Sequence, residues 1–283
     1  MINKFLRYLK SLRSMQRVNM SLARGAATSA LRNLDMTNPS SWEFSGFSQN
    51  GEDGIIDVLT RNIVEPNRYF IEIGASDGLE NNTAWLAIAR RFNGIWVEGS
   101  PGISQWCEYL FTSLNYGVEI VCMFVTKANV AELKARALHI TPDVFSLDID
   151  GIDYYVAEAV LSAGFRPRIF VVEYNSAFGP EKSITIPYRD DFRCVRVHGD
   201  NLYYGCSISG WKKLFEKFKY AFVTVDMNGV NGFFIDADAF DKRFVQGIGG
   251  VDFAENIAQL REYRTGWQGQ YELVRDRTLV VID

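Results

Sequence analysis

YFIEIGASDG, residues 69–78, joins an apolar segment to a loop of small residues. Residues 69–73 are mostly large and apolar, which predicts a buried strand. Residues 74–78 carry little side-chain volume, so another group can approach the backbone closely there. A loop of this kind directly after a buried strand indicates that a ligand lies against the carboxyl end of that strand.

The composition predicts an ordinary globular protein. The chain has 283 residues, 47% of them hydrophobic, which is enough for one large domain or two small ones. Its formal net charge of −4 argues against general nucleic-acid binding. No CxxC spacing, signal peptide or apolar run long enough to span a bilayer is recognised. We therefore expect reduced cysteines and a cytoplasmic location, with the inner face of the membrane as a further option.

From residue 44 onward, strand-like and helix-like segments alternate. We predict strands near 68–73, 93–98, 117–122, 144–149, 168–174, 219–226 and 230–236. We predict helices near 50–63, 80–91, 103–114, 128–138, 153–163 and 207–218. This order predicts an α/β fold: a Rossmann-like, doubly wound, mainly parallel seven-stranded sheet. Only residues 227–229 separate the last two strands, so we expect a C-terminal hairpin with one antiparallel strand at the sheet edge.

The ends of the chain differ from this central part. The first 34 residues contain seven basic and no acidic side chains, and their apolar residues recur at roughly helical spacing. We expect 1–43 to form a basic amphipathic helical extension, which contacts a membrane surface, packs on a partner chain or is a solvated, docked helix. The ligand-binding domain then spans 44–240, and 241–283 form a C-terminal extension packed on it.

The loop favours one class of adenosine ligand over another. A dinucleotide fold requires G-x-G-x-x-G, whose middle glycine lets a pyrophosphate approach the helix terminus. Here Ser76 takes that place, and Asp77 beside it would repel a diphosphate. Glu98 ends the next predicted strand, where an acid can accept hydrogen bonds from both ribose hydroxyls. These features favour S-adenosylmethionine over NAD.

Three motifs stand in order at predicted strand ends, EIGASDG (72–78), VEGSP (97–101) and LDIDG (147–151), and VVEYN (171–175) follows them. With them, residues 44 to 236 resemble class I S-adenosylmethionine-dependent methyltransferases, and within these the FkbM-like family. The resemblance implies methyl transfer, with S-adenosyl-L-methionine as cofactor, to a hydroxyl of a sugar, glycan or glycosylated metabolite. The residues that it assigns to the cofactor are Glu72, Gly74, Ala75, Ser76, Asp77, Gly78, Asn82, Glu98, Gly99 and Asp148.

Acidic side chains at two neighbouring strand ends suggest where the reaction takes place. Asp148 and Asp150 alternate with apolar residues and share one face, and Glu173 and Asn175 end the next strand. We expect Asp150, Glu173 and Asn175 to be able to hold Mg²⁺, which favours oxygen ligands. The alternative is that the acids position the cofactor and the acceptor without a metal.

A hydroxyl acceptor also needs a base or a metal to lower its pKa. The candidate bases are Asp150, Glu173 and His198, which follows the fifth strand in RVHGDNLYYG; a surface histidine is the plainer interpretation of His198. Gln49 and Glu52 either cap the first helix of the domain or line the site.

Two functions of other classes stay open from sequence alone. One is a catalytically inactive binding or scaffold protein with this fold, and the other is an NAD(P)-dependent enzyme. The sequence does not identify the acceptor.

Overall fold

The computed structural model describes residues 2–111, 114–192 and 201–283, and within them the side chains from Tyr8 onward. Its strands are β1 (Tyr69–Ile73), β2 (Asn93–Glu98), β3 (Val118–Cys122), β4 (Val144–Leu147), β5 (Ile169–Glu173), β6 (Ile184–Thr185), β7 (Ala221–Val225), β8 (Asn231–Ile235) and β9 (Val280–Val281). Seven of them form the central sheet, and β6 pairs with β9 in a separate two-stranded sheet.

The central sheet has the strand order β3-β2-β1-β4-β5-β8-β7. Its first five strands pair in parallel, while β8 pairs antiparallel with both β5 and β7. The predicted doubly wound, mainly parallel sheet is therefore confirmed. One detail differs: the hairpin lies at the sheet edge, but the edge strand is β7, so the antiparallel strand β8 is second from the edge.

The helices are α1 (Ile2–Leu31), α2 (Glu52–Arg61), α3 (Ala84–Ile88), α4 (Pro101–Phe111), α5 (Val130–Arg136), α6 (Asp153–Ser162), α7 (Ile208–Lys217), α8 (Lys242–Gly247), α9 (Ile257–Tyr263) and α10 (Trp267–Val274). They cover both faces of the sheet, and each face has its own apolar core. Along β1, Ile71 belongs to the core with α5, α6 and α7, whereas Phe70 belongs to the core with α2, α3 and α4. This division follows from the two-residue period of a strand.

Strand β1 lies between β2 and β4, which is the point where the strand order reverses. The loops that follow β1 and β4 therefore diverge and leave a crevice at the carboxyl edge of the sheet, where doubly wound folds bind ligands. Among the described residues, no helix combines the length and the apolarity required to cross a membrane.

Candidate functional site

Two cavities open at this carboxyl edge. The β2 cavity, of about 540 Å³, lies beyond β1, β2 and β3. The β5 cavity, of about 520 Å³, lies beyond β1, β4 and β5. Three residues line both cavities: Gly74, Asp148 and Asp150. A molecule in one cavity would therefore meet a molecule in the other at these residues.

The loop after β1 has a backbone that only a glycine fits at its first position. Gly74 has a φ of 92°, and a Cβ added to it would lie 1.7 Å from the carbonyl oxygen of Asp148. The N–H groups of Gly74 and Ala75 donate to the carbonyl of Val97, at 3.0 and 3.1 Å. The loop is thus tied to the end of β2 on one side and pressed against the end of β4 on the other.

Acidic and apolar groups line the β2 cavity. Half-buried Glu98 ends β2, and its Oε1 accepts a hydrogen bond from the N–H of Ser100 at 2.6 Å. Met123 and Phe124, which follow β3, add apolar surface to the lining. Among the described residues that line this cavity there are three acids and no Lys or Arg.

The predicted cofactor residues fall into three groups in the structure. Gly74, Ser76, Glu98, Gly99 and Asp148 line the β2 cavity. Glu72 and Asn82 line the β5 cavity instead. Ala75, Asp77 and Gly78 line neither cavity and shape the loop: Ala75 accepts a hydrogen bond from Asn81 and Asp77 binds the N–H of Leu79, while Gly78 lies against Phe111 and Trp96.

Glu72 organises the chain between the loop and α3. Its buried carboxylate accepts hydrogen bonds from the N–H groups of Asn82 and Thr83, at 2.8 and 3.1 Å, and from the Thr83 hydroxyl at 2.5 Å. Burial raises the pKa of Glu72 to about 7. Because residues 81–83 turn around this carboxylate, α3 starts at Ala84 rather than near residue 80 as predicted.

Asp148, Asp150 and Glu173 form a cluster where the two cavities meet. Each offers a carboxylate oxygen, and these oxygens lie within 4.8 Å of one another. Burial, followed by repulsion from neighbouring acids, raises the pKa of Asp148 and of Glu173 well above the usual range. Three carboxylates this close repel each other unless they share protons or a cation.

The loop that carries Asp150 is held by another acid. Asp153 accepts hydrogen bonds from the N–H groups of Ile149 and Gly151, both at 2.8 Å. Asp150 itself has a φ of 51°, an uncommon conformation for a residue with a side chain. Asp153 thus fixes the backbone that presents Asp150, which is consistent with Asp150 being placed for function.

Two buried oxygens beside this cluster have no hydrogen-bond partner among the described residues: Oε2 of Glu173 and Oδ1 of Asn231. Both residues line the β5 cavity, and they are register partners across β5 and β8. The amide orientation of Asn231 is set because its Nδ2 donates to Oε1 of Glu52 at 2.8 Å. Unsatisfied buried oxygens are rare, so this part of the cavity is suited to a ligand with hydrogen-bond donors or to a cation.

The structure does not bring Asn175 into the cluster. Its side chain accepts from the N–H of Ala177 at 3.1 Å and donates to the carbonyls of Leu202 and Tyr204. The amide thus joins β5 to a loop, and Asp148 is the third acid of the cluster instead. His198 lies outside the described residues, so its role stays a prediction.

The rest of the β5 cavity comes from three distant segments. The N-terminal segment contributes Ser48, Gln49, Asn50 and Glu52; the β7–β8 hairpin contributes Asn228, Val230 and Asn231; the C-terminal extension contributes Asn256, Ile257, Ala258 and Arg261. Gln49 and Glu52, which were expected to cap the helix or to line the site, line the β5 cavity and not the β2 cavity. The residues from the hairpin and the C-terminal extension were not expected, because no local motif marks them.

Hydrogen bonds join the first two of these segments. Asn50 donates from its N–H and its side chain to Glu52, at 2.6 and 2.9 Å, and accepts from Asn228 at 3.2 Å. Asn231 donates to the same Glu52 carboxylate. This wall is therefore fixed, polar and rich in amide groups.

No protein-family model and no curated protein matches the chain. Among solved structures, it is similar to the O-methyltransferase from Bacillus cereus in complex with SAH, with 14% identity, coverage of 78% of this chain and 89% of that one, and a TM-score of 0.41. It is also similar to the O-methyltransferase TomG from Streptomyces achromogenes in complex with SAM, with 15% identity, coverage of 76% and 95%, and a TM-score of 0.43. Similarity at this level does not establish an activity. The function of this protein must therefore be inferred from the chemistry of the two cavities.

Proposed function

We propose that the protein is an S-adenosylmethionine-dependent methyltransferase of the FkbM-like type that methylates a hydroxyl of a sugar, glycan or glycosylated metabolite. The observation that carries this proposal is the meeting of two cavities of similar size at Gly74, Asp148 and Asp150. Such an arrangement suits the transfer of a small group between two bound molecules, since both can be held with their reacting atoms adjacent.

The β2 cavity is suited to the cofactor. We assign Glu98, which lines this cavity, to accept hydrogen bonds from the ribose hydroxyls, and the apolar Met123 and Phe124 to contact the adenine base. S-adenosylmethionine supplies a methyl group from a positively charged sulfonium, which the acids Asp148 and Asp150 favour electrostatically. The pyrophosphate of NAD(P) would instead meet three acids with no Lys or Arg among the described lining residues, which disfavours that alternative.

The β5 cavity is suited to a polyhydroxylated acceptor. Its described lining is dominated by amides and carboxylates, including Asn50, Asn228, Asn231 and Asn256. Such side chains accept and donate hydrogen bonds, so they match the hydroxyls of a sugar better than an apolar group. A polar lining of this kind, buried at Asn231 and half-buried at the other three residues, also disfavours an apolar acceptor, because an apolar group would displace water without offering new hydrogen bonds.

The acid cluster supplies the means to activate a hydroxyl. The raised pKa of Glu173 and Asp150 makes either carboxylate a better proton acceptor than an ordinary surface acid. The three carboxylates Asp148, Asp150 and Glu173 also fit Mg²⁺, since Oε2 of Glu173 has no hydrogen-bond partner in the described part of the chain. When bound, Mg²⁺ would lower the pKa of the acceptor hydroxyl.

The proposal is tested first by isothermal titration with S-adenosylhomocysteine, using wild type, Glu98→Ala and Glu119→Ala. We expect wild type to bind and Glu98→Ala to bind roughly 10- to 100-fold more weakly, as for the loss of hydrogen bonds to a charged group. Glu119 is exposed and paired with Arg136, so Glu119→Ala should bind like wild type. Absence of binding to wild type, or binding of NAD instead, would refute the proposal.

A further inference from the structure

Helix α1 is attached to the domain along one face. Ser14, Val18 and Gly25 are buried on that face. A Cβ on Gly25 would lie 2.5 Å from the ring of Trp85, so the helix backbone approaches the domain closely. On either side of Gly25, the Arg24 and Arg32 side chains donate hydrogen bonds to the carbonyls of Gly46 and Trp42, both at 2.5 Å. The second half of α1 is thus firmly docked.

The opposite face changes character along the helix. In the first half it exposes a row of large apolar side chains that we term the outer stripe: Tyr8, Leu9, Leu12 and Met15, with 59%, 39%, 43% and 37% of their surfaces accessible. In the second half the exposed residues include Ala23, Ala26, Ala27 and Ala30. Large apolar side chains that lie together on an exposed surface mark an interaction site, so the outer stripe needs a partner.

One exposed aromatic residue of α4 lies near the outer stripe. Lys10 lies over the ring of Trp106, 4.2 Å from its centroid, and Trp106, which is itself buried, stacks on Tyr109. Tyr109 leaves 49% of its surface accessible. An exposed Tyr beside an apolar helix face is typical of the boundary between water and lipid headgroups.

The basic residues of α1 indicate what kind of partner binds to the outer stripe. The first 34 residues hold seven of the 30 basic residues of the chain and none of its 34 acids. Arg17 is paired with Asp77 and Glu80, but Arg13 is exposed next to the outer stripe. A second copy docked on this face would bring Lys10 and Arg13 of both copies together, whereas an anionic surface complements them.

We infer that the first half of α1 lies on the surface of a membrane containing anionic lipids, with the outer stripe in the headgroup region and Lys10 and Arg13 against lipid phosphates. A helix with an apolar face flanked by basic residues binds in this way without crossing the bilayer. The inference goes beyond the proposed function and does not depend on methyl transfer. The docked second half keeps the domain fixed to the membrane-bound half.

The test is cosedimentation of the full chain with vesicles of phosphatidylcholine, alone or mixed with phosphatidylglycerol. We expect binding to the mixed vesicles at low salt, weakening as salt screens the charges. Leu9→Gln/Leu12→Gln should weaken it at least ~10-fold, since two large apolar side chains no longer enter the interface. Arg13→Gln should weaken it about 5-fold, the effect of one basic residue near an anionic surface.

Ala23→Gln/Ala27→Gln is the matched control, because it adds the same polar groups to the exposed side of the docked half. It should bind like wild type, and thermal unfolding should confirm that all variants fold. The inference would be overturned if the wild type did not bind the mixed vesicles, or if it bound neutral vesicles equally well. It would also be overturned if the control variant lost as much binding as Leu9→Gln/Leu12→Gln. If light scattering showed a dimer of the wild type that Leu9→Gln/Leu12→Gln dissociates, the outer stripe would be a contact with a second copy. That result would also overturn the inference.

Discussion

The two cavities are alike in size but differ in how the chain builds them. The lining of the β2 cavity comes from one stretch between Ile73 and Asp150, mostly from loops directly after strands. The β5 cavity takes its lining from segments as far apart as Ser48 and Arg261. The shape of the β2 cavity is therefore set mainly by backbone conformation. The lining of the β5 cavity is set mainly by side chains that the whole fold brings together.

Among variants that test the difference between the two cavities, we expect the largest effect from Gly74→Ala. The added Cβ would meet the Asp148 carbonyl oxygen at 1.7 Å, and the φ of 92° adds strain, so the loop must move. We expect binding of S-adenosylhomocysteine to be lost and stability to fall by roughly 3 kcal/mol. Titration calorimetry and denaturant unfolding measure both quantities.

Gly102→Ala is the control for this change, since none of the residues that the structure describes comes within 4 Å of a Cβ at that position in α4. It should leave binding and stability nearly unchanged. Wild-type affinity in Gly74→Ala would show that the loop does not need its present backbone.

The second-largest effect should appear in the rate of turnover and not in the affinity for S-adenosylhomocysteine. Glu173 lines the β5 cavity but not the β2 cavity, so Glu173→Gln removes a carboxylate from the acceptor side only. We expect the methyl-transfer rate to fall at least ~100-fold, the usual contribution of a general acid or base. Affinity for S-adenosylhomocysteine should stay within about 2-fold.

Exposed Glu181→Gln serves as the control and should match wild type in both assays. If Glu173→Gln lost affinity for S-adenosylhomocysteine as strongly as it lost turnover, the two cavities would not be separable in function.

The smallest effect concerns stability and pH. Burial raises the pKa of Glu72 from 4.5 to about 7, so between these pH values the folded state keeps a proton that the unfolded state has lost. The free energy of unfolding therefore falls as pH rises through this window, by up to about 1.4 kcal/mol per pH unit from this group. Glu72→Gln cannot lose a proton, so its unfolding free energy should fall less steeply.

Urea unfolding at several pH values checks the slope. Glu43 and Asp53 have a pKa of about 7 for the same reason, so part of the slope must persist in the variant. An unchanged slope in Glu72→Gln would mean that Glu72 is ionised in the folded protein throughout the window.

The sequence predicts the fold and half of the assigned lining of the β2 cavity, because these signals are local. Apolar runs marked all seven strands of the central sheet, and the small-residue loop at 74–78 was recognisable from its residue types alone. Glu98 was recognisable because it ends a predicted strand next to that loop. Parallel strands bring such ends to one edge, so few further assumptions were necessary.

The β5 cavity was only partly predictable. Asp148, Asp150 and Glu173 were found because they end neighbouring strands. Asn175 follows the same pattern, yet its amide bonds to the backbone carbonyls of Leu202 and Tyr204, which sequence does not reveal. Asn256 and Arg261 lie in a segment without a motif, and only the path of the chain after β8 brings them to the cavity.

The position of that last segment in the chain has an evolutionary consequence. Asn256, Ile257 and Arg261 follow the final strand of the central sheet, so mutation or recombination in this segment alters one wall of the β5 cavity and no strand. The apolar contacts of Val274 and Ile282 with the core and the pairing of β9 with β6 constrain such exchange. Descendants of this chain that keep these contacts could thus change this wall of the β5 cavity while inheriting the loop after β1 unchanged.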